Sequence, residues 1–240
     1  MAVYQSALRR RESVADGTAA FYFDKPAGFV HQAGQNALFT LVDPPETDSQ
    51  GASRTFTIAS APHEPELMIA TCMRDTAFKR VLKSAALGMP LQIDGPAGVM
   101  VLHEDAARPA AFLAGGIGVT PFLSMARHAA KNRLPHRIVL FYSNRRPEDT
   151  AFIDELRALE RANPNYRLVA TMAEAEKSSQ PWNGETGFIR RDMLERHIAD
   201  LKNPVYYFAG PPGMTMAMQS MLDGMGVDEN DMRSEEFYGY

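Results

Sequence analysis

Ala110 to Pro121 reads AAFLAGGIGVTP, and this stretch limits the fold more than any other. An apolar strand enters Gly115-Gly116-Ile117-Gly118, and Val119-Thr120-Pro121 leads into a helical stretch reaching Asn132. Glycines let a backbone turn sharply and approach a ligand closely. Pro121 suits a first helical position, because its missing N–H would have had no partner there. Thr120 reads as an N-cap whose hydroxyl can also face a ligand, and free N–H groups at a helix start favour a diphosphate. Three further apolar strand-like runs follow, Ile138–Tyr142, Leu168–Met172 and Val205–Phe208, separated by helical stretches 149–162 and 190–201 and followed by one over 214–222. That alternation predicts a doubly wound parallel sheet. A second glycine turn, Ala209-Gly210-Pro211-Pro212-Gly213-Met214, follows the last strand. In a parallel sheet both glycine loops lie at the carboxyl edge, where ligands bind. Strand-to-helix turns can require glycine for geometry alone, but two such loops at one edge point to a nucleotide.

The first hundred residues follow a different rhythm. Short apolar runs at 19–23, 37–42, 56–58, 67–73 and 91–93 alternate with turns such as Asp16-Gly17, Asp43-Pro44-Pro45 and Gly95-Pro96-Ala97-Gly98. One helical stretch, about 76–86, interrupts them. Short strands at this spacing predict a small antiparallel barrel or sandwich. The polar segment His103–Pro109 separates the two patterns, giving domains over 1–105 and 106–240.

The net charge of −4 offers no electrostatic case for nucleic acid or an anionic membrane, and no apolar run is long enough to span a bilayer. Arg9-Arg10-Arg11 is not followed by the apolar stretch of a signal peptide, so a cytoplasmic location is expected. One cysteine, Cys72, cannot hold an iron–sulfur cluster, and the six histidines show no metal-ligand spacing; no metal site is expected.

Arg54-Thr55-Phe56-Thr57-Ile58-Ala59-Ser60 completes the pattern. With the Gly-Gly-x-Gly-x-Thr-Pro loop at 115–121, the Gly-Pro-Pro-x-Met loop at 210–214 and an early Gly34-Gln35 turn, the sequence resembles the ferredoxin–NADP reductase superfamily over almost its whole length. The resemblance implies a flavin-binding antiparallel β-barrel followed by an α/β nucleotide-binding domain. It implies FAD, with FMN as the alternative, and NADH or NADPH as hydride donor. Arg54 would pair with a flavin phosphate through its forked guanidinium. Phe56 takes the place of the family's stacking tyrosine, and Thr57 that of the serine whose hydroxyl approaches the hydride-accepting nitrogen. Ser60 lies on the same strand. Met73 ends the strand that frames the flavin, and Thr76 and Lys79 open the helix that would hold its pyrophosphate; Arg74-Asp75 replaces the glycines usual there.

In the second domain the resemblance gives Gly115, Gly116, Gly118, Thr120, Pro121, Ser143, Arg145, Gly210, Pro211, Pro212 and Met214 to the nucleotide. Ala209 stands where the family has cysteine. The ending Ser234-Glu235-Glu236-Phe237-Tyr238-Gly239-Tyr240 resembles the family's Glu-x-aromatic terminus, with Glu235 beside Thr57 at the reacting centre and Phe237 or Tyr240 as the aromatic ring. A 2′-phosphate calls for arginine, which Arg145 and Arg146 supply; the acids in 171–176 favour a ribose diol instead, so NADH is the expected donor. The implied function is hydride transfer from NAD(P)H to FAD, then electron transfer to a separate ferredoxin, flavodoxin or oxygenase component. A multi-component oxygenase reductase and a nucleotide-sensing subunit without activity are the alternatives.

Overall fold

The computed structural model describes residues 2–238. The first sheet comprises β1 (Val3–Ala15), β2 (Thr18–Asp24), β3 (Asn36–Leu41), β4 (Ser53–Thr57), β5 (Glu66–Cys72) and β6 (Pro90–Ala97), in the order β4-β3-β6-β1-β2-β5, with every adjacent pair antiparallel. The sheet curls until its two end strands meet: the Ala59 N–H donates to the Met68 carbonyl at 2.7 Å, and the Ser60 hydroxyl accepts from the Met68 N–H. Helix α1 (Ala77–Ser84) plugs the barrel with Phe78, Val81 and Leu82, which join Phe21, Phe23, Phe39, Ile69 and Ile93 in one apolar interior.

β1, thirteen residues long, was not among the expected strands because its arginines hide the alternation. Arg9 pairs with Asp24, Arg10 pairs with Glu66 and lies over the Tyr22 ring, and Arg11 donates to the Leu82, Lys83 and Ala85 carbonyls at the end of α1. The run is therefore a neutralised strand face and a helix C-cap.

The second sheet is parallel throughout, in the order β10-β9-β8-β7-β11-β12. Its strands are β7 (Ala110–Gly115), β8 (Ile138–Asn144), β9 (Tyr166–Met172), β10 (Glu185–Thr186), β11 (Val205–Gly210) and β12 (Met232–Glu236). Alternate residues feed opposite faces, as strand geometry requires. Ala110, Phe112 and Tyr207 pack against α2 (Thr120–Asn132) and α3 (Ile153–Ala162), whereas Ala111, Leu113, Tyr206 and Phe208 pack against α4 (Arg191–His197) and α5 (Pro212–Gly224). Both faces are covered, so β7 and β11 are buried at every position.

The two domains share one core. Ala20, Tyr22, Met68 and Ala70 on the barrel's outer face join Phe122, Met125 and Ala129 of α2. Both faces of β2 are thus buried, which explains the unbroken apolar run 19–23. Arg127 of α2 crosses the junction to the Ala59 carbonyl and Glu64, and also takes Glu155 of α3 in a two-pronged pair.

Candidate active site between the two domains

The carboxyl edge of the parallel sheet faces the barrel across a cleft of about 790 Å³. The first glycine loop (Gly115, Gly116), the ends of β8 (Ser143, Arg145) and the start of α5 (Pro211, Met214) line one wall; Met73 and Arg74 line the other. The β1–β2 turn closes one rim, where the Asp16 N–H donates to the Glu148 carbonyl at 2.9 Å. Seven of the residues expected on the cofactors therefore meet on one cavity: Met73, Gly115, Gly116, Ser143, Arg145, Pro211 and Met214. Asp16, Gly17, Thr18 and Phe188 also line it and were not expected. Asp16-Gly17 was legible only as a turn, and Phe188 sits in a long connection with no periodic signal.

The glycine loops abut each other. A Cβ on Gly118 would lie 2.3 Å from the Ala209 carbonyl oxygen, and one on Gly210 would lie 3.3 Å from the Gly115 Cα. Gly118 is thus demanded by the close approach of β11, and it does not line the cleft. A Cβ on Gly115 would instead meet the Met214 sulfur at 2.2 Å. Gly116, at φ +51, begins a 3-10 turn over 116–119 that displaces the expected helix start. Thr120 is consequently the first residue of α2, not its N-cap; its buried hydroxyl donates to the Ile117 carbonyl at 3.1 Å, away from the cleft. Pro121 is buried and Pro212 half-buried, each at a helix start, and neither lines the cleft. Met214 and Met218 line the cavity, and with Met221 and Met225 they also pack on the core beneath α5.

A second cluster joins the barrel to β12. Asn36 Nδ2 donates to Glu235 Oε1 at 2.9 Å, Asn36 pairs in register with Thr57, and Glu235 pairs with Ala209. The buried Thr57 hydroxyl and the second Glu235 oxygen have no hydrogen-bond partner. Such orphans are rare in folded proteins, and two at one locus suit a polar ligand. Burial pushes the Glu235 carboxyl above its ordinary range, against the Asn36 hydrogen bond. Phe237 packs on the shared core while its N–H donates to the Gly210 carbonyl. Tyr240 lies outside the described residues.

The phosphate end of the expected flavin site is occupied from within. Arg54 Nη2 pairs with Asp48 at 2.8 Å, and Arg54 Nη1 donates to the Gln50, Gly51 and Ser53 carbonyls. Thr76 does cap α1, accepting from the Lys79 N–H. The Lys79 ammonium donates to the Cys72 carbonyl at 2.7 Å, and burial lowers its pKa. Phe56 rests against Phe78 and Phe39. Ser60 is spent on barrel closure and the domain junction, where its carbonyl accepts from Ser124 and contacts His31.

Residues 112–220 match the oxidoreductase NAD-binding domain family. The ferredoxin NADP+ reductase of Neisseria gonorrhoeae, solved with FAD and NADP, superposes with a TM-score of 0.80 at 18% identity, covering 98% of both chains. The FAD/NAD-binding domain of the Vibrio cholerae nitric oxide dioxygenase gives 0.82, also at 18% identity, covering 97% of this chain and 98% of that one. The chain shares the two-domain fold of these flavin- and nucleotide-binding proteins, and its second domain carries the NAD-binding match. In sequence it is 28% identical over 223 residues to the glycine betaine monooxygenase reductase subunit of Chromohalobacter salexigens, covering 92% of this chain and 60% of that one. It is 25% identical over 217 residues to the propane 2-monooxygenase reductase component of Rhodococcus jostii, covering 89% and 57%. The chain thus spans less than two thirds of these relatives. Among the described residues no helix is long and apolar enough to cross a membrane, and no three His, Cys, Asp or Glu side chains converge as metal ligands.

A flavin and a nicotinamide dinucleotide fit the residues present. The cleft beside the glycine loops has room for a dinucleotide, and the two orphaned polar atoms have hydrogen-bonding capacity to spare for the polar edge of a flavin ring.

Proposed function

We propose that this chain is an NAD(P)H-dependent flavin oxidoreductase that passes electrons to a separate acceptor. The observation that carries this reading is the shared cleft: the carboxyl edge of the nucleotide domain and the end of β5 of the barrel form its opposite walls. Flavin, when bound, supplies the hydride-accepting and electron-releasing chemistry. The chain's own part is proximity and orientation. Gly115, Gly116, Pro211 and Met214 form the nucleotide wall, with Ser143 and Arg145 at its far end. Thr57 presents its unpartnered hydroxyl, and Asn36 fixes Glu235 with one oxygen left over, so a buried carboxyl with a raised pKa can hold a proton on that oxygen. Ala209, fully buried between Gly118 and Glu235, leaves this locus without a thiol.

The donor is NADH. Arg146 is already paired with Glu148 and Asp149, and Glu174 and Glu176 follow the end of β9 beside the cleft residue Ala173. That surplus of carboxylates opposes a 2′-phosphate, although Arg145 stands exposed at the rim. The acceptor is an oxygenase component, as in the names of the relatives from Chromohalobacter and Rhodococcus. With one cysteine, this chain cannot hold a four-thiolate cluster, so onward transfer needs another carrier. Anaerobic stopped-flow reduction of the bound chromophore with NADH and NADPH in parallel tests the reading. NADH bleaches the flavin within the dead time or milliseconds and NADPH does so far more slowly. Bleaching by neither refutes the enzyme and leaves a nucleotide-sensing subunit.

A further inference from the structure

The start of α1 and the Arg54 guanidinium together form an anion seat, since a helix N-terminus and a forked cation both favour negative charge. The chain fills this seat itself. Asp48 Oδ1 takes Arg54 Nη2 at 2.8 Å and the Gln50 N–H at 2.9 Å, while Oδ2 takes the Ala77 N–H at 3.1 Å. Its loop, between β3 and β4, is pinned a second time by Glu46 on Arg80. Desolvation acts to raise the Asp48 pKa, but hydrogen bonds from Arg54, Gln50 and Ala77 outweigh it and hold the carboxyl below its ordinary range. Asp48 therefore sits there as an anion, with a guanidinium, the first N–H of α1 and one loop N–H around it, as a phosphate would.

We propose that Asp48 is an internal occupant of a diphosphate seat, and that a diphosphate binds there by exchange, displacing the carboxylate from Arg54 and α1. That the diphosphate is the flavin's rests on the function proposed above. Two anions cannot share one guanidinium and one helix start without strong repulsion, so ligand entry requires the 43–52 loop to release its acid. The exchange has a physical consequence. The Asp48 contacts keep Arg54 and the first turn of α1 satisfied in the flavin-free chain, and every flavin that binds must offset their loss.

Asp48→Asn tests this, because it removes the anion from the seat. Asparagine keeps the side chain's shape and one acceptor oxygen, loses the charge, and sets an amide NH2 where the second oxygen stood. The full chain, stripped of flavin, is titrated calorimetrically with inorganic pyrophosphate. The variant should bind about tenfold more tightly than the wild type, the scale of one charge-assisted contact. Adding Arg54→Gln should abolish the gain, which separates this seat from the glycine loops. Equal affinities for wild type and variant, or a gain that survives loss of Arg54, overturn the proposal. Fluorescence titrations then use FAD and riboflavin. FAD should tighten in the variant while riboflavin, without phosphate, does not; equal tightening of both overturns exchange at the phosphate. If FAD binds neither protein while the pyrophosphate gain persists, exchange at the seat stands and the flavin reading falls.

Discussion

Gly115 and Gly118 stand three residues apart in one loop, yet the same substitution should act on them in opposite ways. A Cβ on Gly118 meets backbone: the Ala209 carbonyl oxygen at 2.3 Å, its carbon at 2.5 Å and the Gly210 nitrogen at 2.7 Å. None of these atoms can rotate away, so Gly118→Ala must push the first glycine loop off β11. Overpacking of this kind costs about 3 kcal/mol, which for a chain of this size lowers the unfolding midpoint by roughly 6–12 °C. A Cβ on Gly115 meets the end of a flexible side chain, the Met214 sulfur at 2.2 Å, with the Pro211 Cδ next at 3.3 Å. Gly115 has φ −117 and ψ 122, a conformation open to alanine, so reduced unfolded-state entropy returns about 0.4–1 kcal/mol. Gly115→Ala should therefore cost under about 1 kcal/mol in stability. Its displaced methionine lines the cleft, however, and NADH affinity should fall about tenfold. Thermal unfolding followed by circular dichroism, paired with calorimetric NADH titration at a temperature where both variants are folded, separates the two effects. If Gly115→Ala loses as much stability as Gly118→Ala while binding NADH normally, the assignment of Gly115 to the cleft and Gly118 to packing is wrong.

Three further outcomes follow from buried charge. Glu235 has a folded pKa raised by burial, so it favours folding below the ordinary carboxylate value of 4.5 and that contribution is lost as pH rises through the folded value. Glu235→Gln should remove this decline, and denaturant midpoints at pH 4.5 and 8 should then lie closer together than in the wild type. His31, at the domain junction, is held down to about 4, chiefly by burial and further by Lys25 and His128, against its hydrogen bond to Ser60. A depressed histidine stabilises the neutral fold, so stability on the order of 3 kcal/mol should drain away between pH 6.5 and 4 and His31→Gln should flatten that loss in urea titrations. Arg127→Ala strands Glu155 and Glu64, both partly exposed, so the cost should fall below that of a fully buried pair, at about 2 kcal/mol; scanning calorimetry should show the midpoint drop, and an unchanged midpoint would mean the junction does not depend on this arginine.

The sequence determined the parallel sheet and its ligand edge, because strands buried on both faces carry unbroken apolar runs and the turns after β7 and β11 demand glycine. It also showed the change of rhythm near residue 105, since the barrel and the sheet have different periods. It did not show β1, whose arginines are neutralised by Asp24, Glu66 and the end of α1, partners distant in the chain. Nor did it separate the roles of residues within one motif. Gly115 and Gly118 read alike until β11 was placed against one and Met214 beside the other. Arg54 read as free for phosphate until folding brought Asp48 to it, and Thr120 read as a cap until the 3-10 turn moved the helix start. Periodicity and turn chemistry are local, so they survive in a linear sequence. Which atom meets which across the chain is settled only by packing, and the roles of single residues are set there.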